Sequence, residues 1–190
     1  MDNGDEQPVS ARNESNFSNS APKTNQKFWE QVAESDAPPT IGAIYMAPGH
    51  LIRRCHQIST SIFANEFSEY DLTPVQYASL LAIQGHPGID QRSLGNIVAF
   101  DRSTIATMLK GLERRELISR ITPSDNLRIR QLYVSAKGCE LLANTAVHIS
   151  RVQQKILAPL SIEEQDQFMA LLTKIVDINN EFSRVPLKLK

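Results

Sequence analysis

Between positions 102 and 114 the chain reads RSTIATMLKGLER, and on a helical wheel its polar side chains collect on one side. Ser103, Thr107, Lys110 and Arg114 share that side, flanked by Arg102, Thr104 and Ala106. Ile105, Met108, Leu109 and Leu112 recur opposite at i, i+3, i+4 and i+7, which is the signature of a half-buried helix. Short hydroxyl side chains near a helix start, with long basic ones further on, suit recognition of a polyanion rather than bond making. Small Ser and Thr groups let the backbone approach a base edge. The free N–H groups and positive dipole end of the first turn meet a phosphate. Taken alone, the same face also fits a helix that is merely solvated.

A second basic cluster follows at once in RITPSDNLRIRQLYVS, residues 120–135. Two β-prone runs, LISRIT (117–122) and RIRQLYV (128–134), flank the turn-forming Pro123-Ser124-Asp125-Asn126, a hairpin pattern. A short helix, a tight turn and a polar-faced helix make a helix-turn-helix, and a basic hairpin after it makes a winged one. The expected geometry puts the 102–114 helix in a major groove and Arg128 at the hairpin tip in the adjacent minor groove. Arg120 and Arg130 are expected near backbone phosphates.

Local signals predict the elements that must hold these groups. A first helix is expected from near Pro48 to about Phe67, with Leu51, Ile52, Cys55, Ile58, Ile62 and Phe63 on one stripe and Arg53, Gln57 and Thr60 facing away. LTPVQY supplies the strongest start signal: Thr73 as N-cap, Pro74 at the first helical position and Gln76 closing a capping box, with Leu72 and Tyr77 as a hydrophobic staple. That helix should end at Gly85. A short helix is expected after Asp90 and the polar-faced one after Asp101, separated by Ala99 and Phe100. A long helix from about Ser135 to Leu157 and a final one opened by the Ser161/Glu164 capping box complete the set.

Composition narrows the class. Of 190 residues, 41% are hydrophobic and 22% charged, ordinary for a soluble domain. No apolar run approaches the ~18–20 residues needed to span a bilayer, and the N-terminus lacks a signal-peptide pattern, so no membrane partner and a cytoplasmic location are expected. The net charge of −1 hides an asymmetry. Residues 1–40 hold three basic against seven acidic side chains, a net −4, and the remaining 150 hold seventeen against fourteen, a net +3. Residues 92–130 alone carry eight Lys/Arg against four acids, a local basic footprint. The first 40 residues, rich in Asn, Ser, Asp, Glu and Pro, are expected to form a flexible acidic tail in which 25–34 can form a transient helix. His50, His56, His86 and His148 and the two cysteines form no catalytic motif, so no enzyme is expected. No metal site is specified and no cofactor is expected.

These stretches together, LTPVQYASLLAI (72–83), IDQRSLGNIVAFDRSTIATMLKGLERRELISR (89–120) and SDNLRIRQLYVSAKG (124–138), resemble the multiple antibiotic resistance regulator (MarR) family of dimeric winged-helix transcription factors. The resemblance covers about residues 45–182. It implies a mainly α fold with a small β-hairpin: a winged helix-turn-helix lobe over about 73–134 plus a helical dimerisation region. That region would comprise helices at about 47–67, 135–158 and 161–182, within a domain spanning 41–184. The implied DNA-contacting residues are Arg102, Ser103, Thr104, Thr107, Lys110, Arg120, Arg128 and Arg130. The family usually carries an Asp-x-Arg pair in the wing, whereas here Asn126 stands two places before Arg128, with Asp125 one place earlier.

As a dimer the chain would read a double-stranded DNA pseudo-palindrome with half-sites about one turn, ~10 bp, apart. LTPVQYASLLAIQGHPGIDQ is most similar to the branch that controls aromatic-acid catabolism, which implies a repressor released by a small aromatic carboxylate or its CoA thioester. Arg53, Arg54 and His56 would meet the carboxylate and Tyr77 would stack on the ring, although solvated arginines and a staple tyrosine explain the same residues. An oxidant-sensing repressor acting through Cys55 or Cys139 is the alternative. Cys55 is expected as a small buried hydrophobe in the first helix's apolar stripe and Cys139 in the first turns of the long helix.

Overall fold

The structure, a computed structural model, describes residues 25–38, 40–124 and 129–187. Its element order is α1 (Asn25–Glu34), α2 (Ile41–Met46), α3 (Pro48–Glu66), α4 (Pro74–Gly85), β1 (Ile89–Asp90), α5 (Gln91–Val98), α6 (Arg102–Arg114), β2 (Ile118–Ile121), β3 (Gln131–Val134), α7 (Ala136–Leu157) and α8 (Ile162–Ile178), closed by a 3-10 turn at Asn180–Phe182. The chain divides into two compact units, residues 1–51 and 52–190. The expected boundary at 41 thus lies inside the first unit.

Side-chain caps set the helix starts where the sequence places them. Thr73 Oγ1 accepts from Gln76 N at 3.3 Å while Gln76 Oε1 accepts from Thr73 N at 2.9 Å, closing the box that opens α4. Ser161 and Glu164 do the same for α8. Asp90 and Asp101 cap α5 and α6. Each such cap is worth about 1 kcal/mol.

Among the described residues the main buried cluster lies in residues 52–190. Phe63 of α3 and Phe67, just past its end, stack at 4.0 Å between ring centroids. They meet Leu72, Leu80 and Ile83 around α4, Leu94 of α5, Ile105, Leu109 and Leu112 of α6, Leu132 of β3, and Leu142 and Val152 of α7. Each fully buried Leu, Ile or Phe contributes about 1.5–3 kcal/mol. The apolar side of the RSTIATMLKGLER helix is therefore held by burial, which fixes the opposite side outward.

The hairpin is real, and it belongs to a three-stranded antiparallel sheet in the order β1-β3-β2. Arg120 pairs with Leu132 and Ile118 with Val134. The third strand, β1, pairs Ile89 with Leu132 and was not expected, because two residues carry no periodicity to read.

Asn25–Glu34, where a transient helix was allowed for, is helical, and Ile41–Met46 forms an unforeseen helix with no side-chain cap bond. The expected stripe on α3 does not bury within this chain: Leu51, Ile52, Cys55 and Ile58 are exposed, and only Phe63 is fully buried. Nothing in α8 is buried either.

Candidate nucleic-acid interface

The α5–α6 turn is built around Gly95. A Cβ added there would lie 3.1 Å from the Phe100 carbonyl oxygen, and Phe100 N donates to the Gly95 carbonyl at 3.1 Å. Ala99, in the left-handed region at φ 55°, turns the chain sharply, so only three residues, 99–101, separate α5 from α6. This is the tight crossing that a helix-turn-helix requires.

Asp101 then organises the α6 N-terminus. Its carboxylate accepts from the backbone N–H groups of Ser103 and Thr104, each at 3.0 Å, and from both of their hydroxyls. The Ser103 hydroxyl, followed by the Thr104 amide and hydroxyl, holds the Asp101 carboxyl far below the ordinary Asp range. The Ser103 and Thr104 hydroxyl protons are thus committed to the cap, and the oxygens are left to accept. Arg102, Ser103, Thr107 and Lys110 are exposed and Thr104 is half-buried. Ser103, Thr104 and Thr107 border a shallow depression of about 410 Å³ shared with Thr73, Val75 and Gln76 at the start of α4.

A larger cleft of about 980 Å³ separates the helix pair from the hairpin, and four guanidinium side chains, Arg92, Arg102, Arg120 and Arg130, line it. Only Asp90 and Asp101 offset them in the lining, and both carboxylates are occupied as helix caps. Arg92, exposed on α5, had no expected role; its signal was the local excess of basic residues. Arg130 is exposed as expected, and Arg128 lies outside the described residues.

Arg120 departs from expectation. It shares the inward face of β2 with Ile118, opposite the buried Leu132. Its side chain is only 13% exposed, and its Nε lies 3.0 Å from Glu113 Oε2 at the end of α6. A guanidinium so placed is not presented to a phosphate.

The effector residues separate. Arg53, Arg54 and His56 are exposed on α3. Arg54 and His56, with Gln57, Thr60 and Ser61, border an open depression of about 680 Å³, and Arg54 Nη1 donates to Gln57 Oε1 at 3.4 Å. Tyr77 is not with them: it is 7% exposed in the core, its ring 5.3 Å from that of Phe67. Burial raises its phenol pKa. The staple position won over ligand stacking because N4 of α4 faces inward. Both cysteines are exposed, so Cys55 is not the buried hydrophobe its stripe suggested. Among the described residues no group of three or more His, Cys, Asp or Glu is placed to hold a metal, and no helix is long and apolar enough to cross a membrane.

Comparison with known proteins bears on the same stretch. The model of the MarR family matches residues 72–129. The transcriptional regulator HosA of Escherichia coli is 34% identical over 128 residues, spanning 67% of this chain and 93% of that protein. The crystal structure of the PcaV transcriptional regulator from Streptomyces coelicolor is 36% identical with a TM-score of 0.63, covering 70% of this chain and 96% of that one. PcaV in complex with its natural ligand is 33% identical with a TM-score of 0.64, covering 74% and 97%.

Proposed function

This chain belongs to the MarR family and is a DNA-binding transcriptional regulator of that type, a premise from which we propose that it acts as a homodimeric repressor released from DNA by a small aromatic carboxylate or its CoA thioester. The observation that carries the DNA-binding mode is the outward face of α6. Arg102, Ser103, Thr107 and Lys110 are exposed there, α6 is the second helix of the helix-turn-helix, and Arg92 and Arg130 border the same cleft as Arg102. Short hydroxyl groups then read base edges and the cations neutralise phosphates.

Uncovered apolar surface supports a dimer. Ile162, Leu171, Ile175 and Ile178 of α8 are exposed, Phe182 is 87% exposed, and Ile52 and Ile58 of α3 add to them. Surface of this extent marks an interaction face. A twofold pair of reading helices selects half-sites about one turn, ~10 bp, apart.

The effector class rests on the resemblance of residues 72–91 to the aromatic-acid branch and on PcaV, a relative solved with a natural ligand. Arg54 and His56 beside their depression offer a carboxylate partner. Selection of a duplex from a random pool, followed by binding titrations at several salt concentrations, tests the DNA reading. Affinity should fall steeply with salt, and a flat dependence rules the mode out. A thermal-shift screen against aromatic acids and their CoA thioesters tests the effector, since a ligand of the folded state raises apparent stability by RT ln(1 + [L]/Kd). A screen without hits removes that class.

A further inference from the structure

We propose that Glu113 and Arg120 form a brace fixing the angle between the wing and the reading helix, so that Arg120 is a positioning residue for DNA binding rather than a phosphate contact. The inference rests on the DNA-binding reading above and assigns a role within it. It starts from how the chain leaves α6. Leu117 N donates to the Leu112 carbonyl and Glu116 N to the Glu113 carbonyl, while Glu116 sits in the left-handed region at φ 61°. That is the hydrogen-bond pattern of a Schellman turn. Glu113 lies on one side of this turn and Arg120 on the other, and their 3.0 Å ion pair closes across it.

The environment of Arg120 argues against outward display. Its Nε and Nη2 are buried and have no hydrogen-bond partner among the described residues. Glu113, 46% exposed, is the one carboxylate paired with it among the described residues. A cation withdrawn from water and held by one counter-charge is sensitive to losing it. Without Glu113 the guanidinium must turn outward to regain water, and the strand that carries it is then free to change its angle to α6. Arg102, Lys110 and Arg130 are exposed instead, as phosphate contacts require.

The two roles predict opposite signs for one substitution. Near DNA, removing the negative charge of Glu113 strengthens binding on electrostatic grounds alone, and a freed Arg120 adds a phosphate contact. If the pair is a brace, the same change weakens binding. The test uses the full chain, a duplex selected by the wild type from a random pool, and fluorescence anisotropy at several NaCl concentrations. Glu113→Gln and Arg120→Gln should each weaken binding about five- to tenfold, and the double variant should be no weaker than the weaker single. The slope of log K against log [salt] should stay at the wild-type value, with melting temperatures measured alongside. Equal or tighter binding by Glu113→Gln, a slope reduced by about one in Arg120→Gln, or additive losses in the double variant would each overturn the brace. Glu113→Gln changes a half-exposed helix side chain, so the test stands even if Arg120→Gln does not fold. Should the wild type select no duplex, it is the DNA-binding reading that fails.

Discussion

Tyr70 joins three parts of the lobe: its phenol oxygen lies 3.2 Å from His148 Nε2 on α7, and its carbonyl accepts from Arg115 Nη2 at 2.7 Å. Arg115 is the C-cap residue of α6 and also donates to the Asp71 carbonyl. The C-terminal end of α6 and the long helix α7 are thus tied to the same residue between α3 and α4. Tyr70→Phe keeps the carbonyl and removes the phenol hydrogen bond. His148 Nδ1, already buried without a hydrogen bond and 3.9 Å from Glu66 Oε2, would then belong to a ring with neither nitrogen satisfied. A loss of about 1–3 kcal/mol in urea denaturation is expected, with specific DNA affinity changed little at a temperature well below melting.

Lys110 and Arg130 are exposed, and alanine at either should lower the salt slope of DNA binding by about one. Thermal stability should move by no more than ~0.5 kcal/mol, as for surface substitutions in general. Unchanged slopes in both variants would remove them from the interface.

Asp101 supplies a pH signature. Its carboxyl is lowered chiefly by the Ser103 hydroxyl, so its contribution to stability is present above the unfolded-state value. That contribution is lost progressively as pH falls from the unfolded-state value toward the folded-state value, which lies well into acid. Between pH 6 and 8 the α6 cap adds no pH dependence. In denaturation titrations from pH 6 to pH 3, Asp101→Asn should lose less stability than the wild type. Equal losses would mean that folding does not lower the Asp101 carboxyl.

Backbone geometry gives two stability predictions of opposite sign. Glu116 occupies the left-handed position that ends α6, and among the described residues its side chain makes only an exposed 3.4 Å pair with Lys137, so Glu116→Gly should stabilise by up to about 1 kcal/mol. A Cβ at Gly138 would lie 2.2 Å from the Leu117 carbonyl oxygen, where the start of α7 packs on the base of the wing. Gly138→Ala should therefore cost roughly 1–3 kcal/mol. Calorimetric melting of the two variants checks both signs.

The effector reading predicts that peroxide leaves operator binding intact in both the wild type and Cys55→Ser/Cys139→Ser, although both thiols are exposed. Release from DNA in the wild type but not in the double variant would shift the assignment to thiol chemistry.

Local chemistry in the sequence determined the helix starts and the outward face of α6. Capping groups at Thr73, Asp90, Asp101 and Ser161 act within three residues, and the α6 face follows from a 3.6-residue period, so both are legible without tertiary contacts. The two hairpin arms were legible from β-prone runs about a turn. What only the tertiary structure decided depends on groups distant in the chain or on which side of a short element faces the core. β1 exists because β3 offers it a ladder. Tyr77 is closed off by Phe63 and Phe67, whereas Ile52 and Ile58 of the α3 stripe are half exposed. Arg120 shows the limit most directly. In sequence it is one more arginine on a basic hairpin, and pleat parity with Ile118 and Leu132 turns it inward to Glu113.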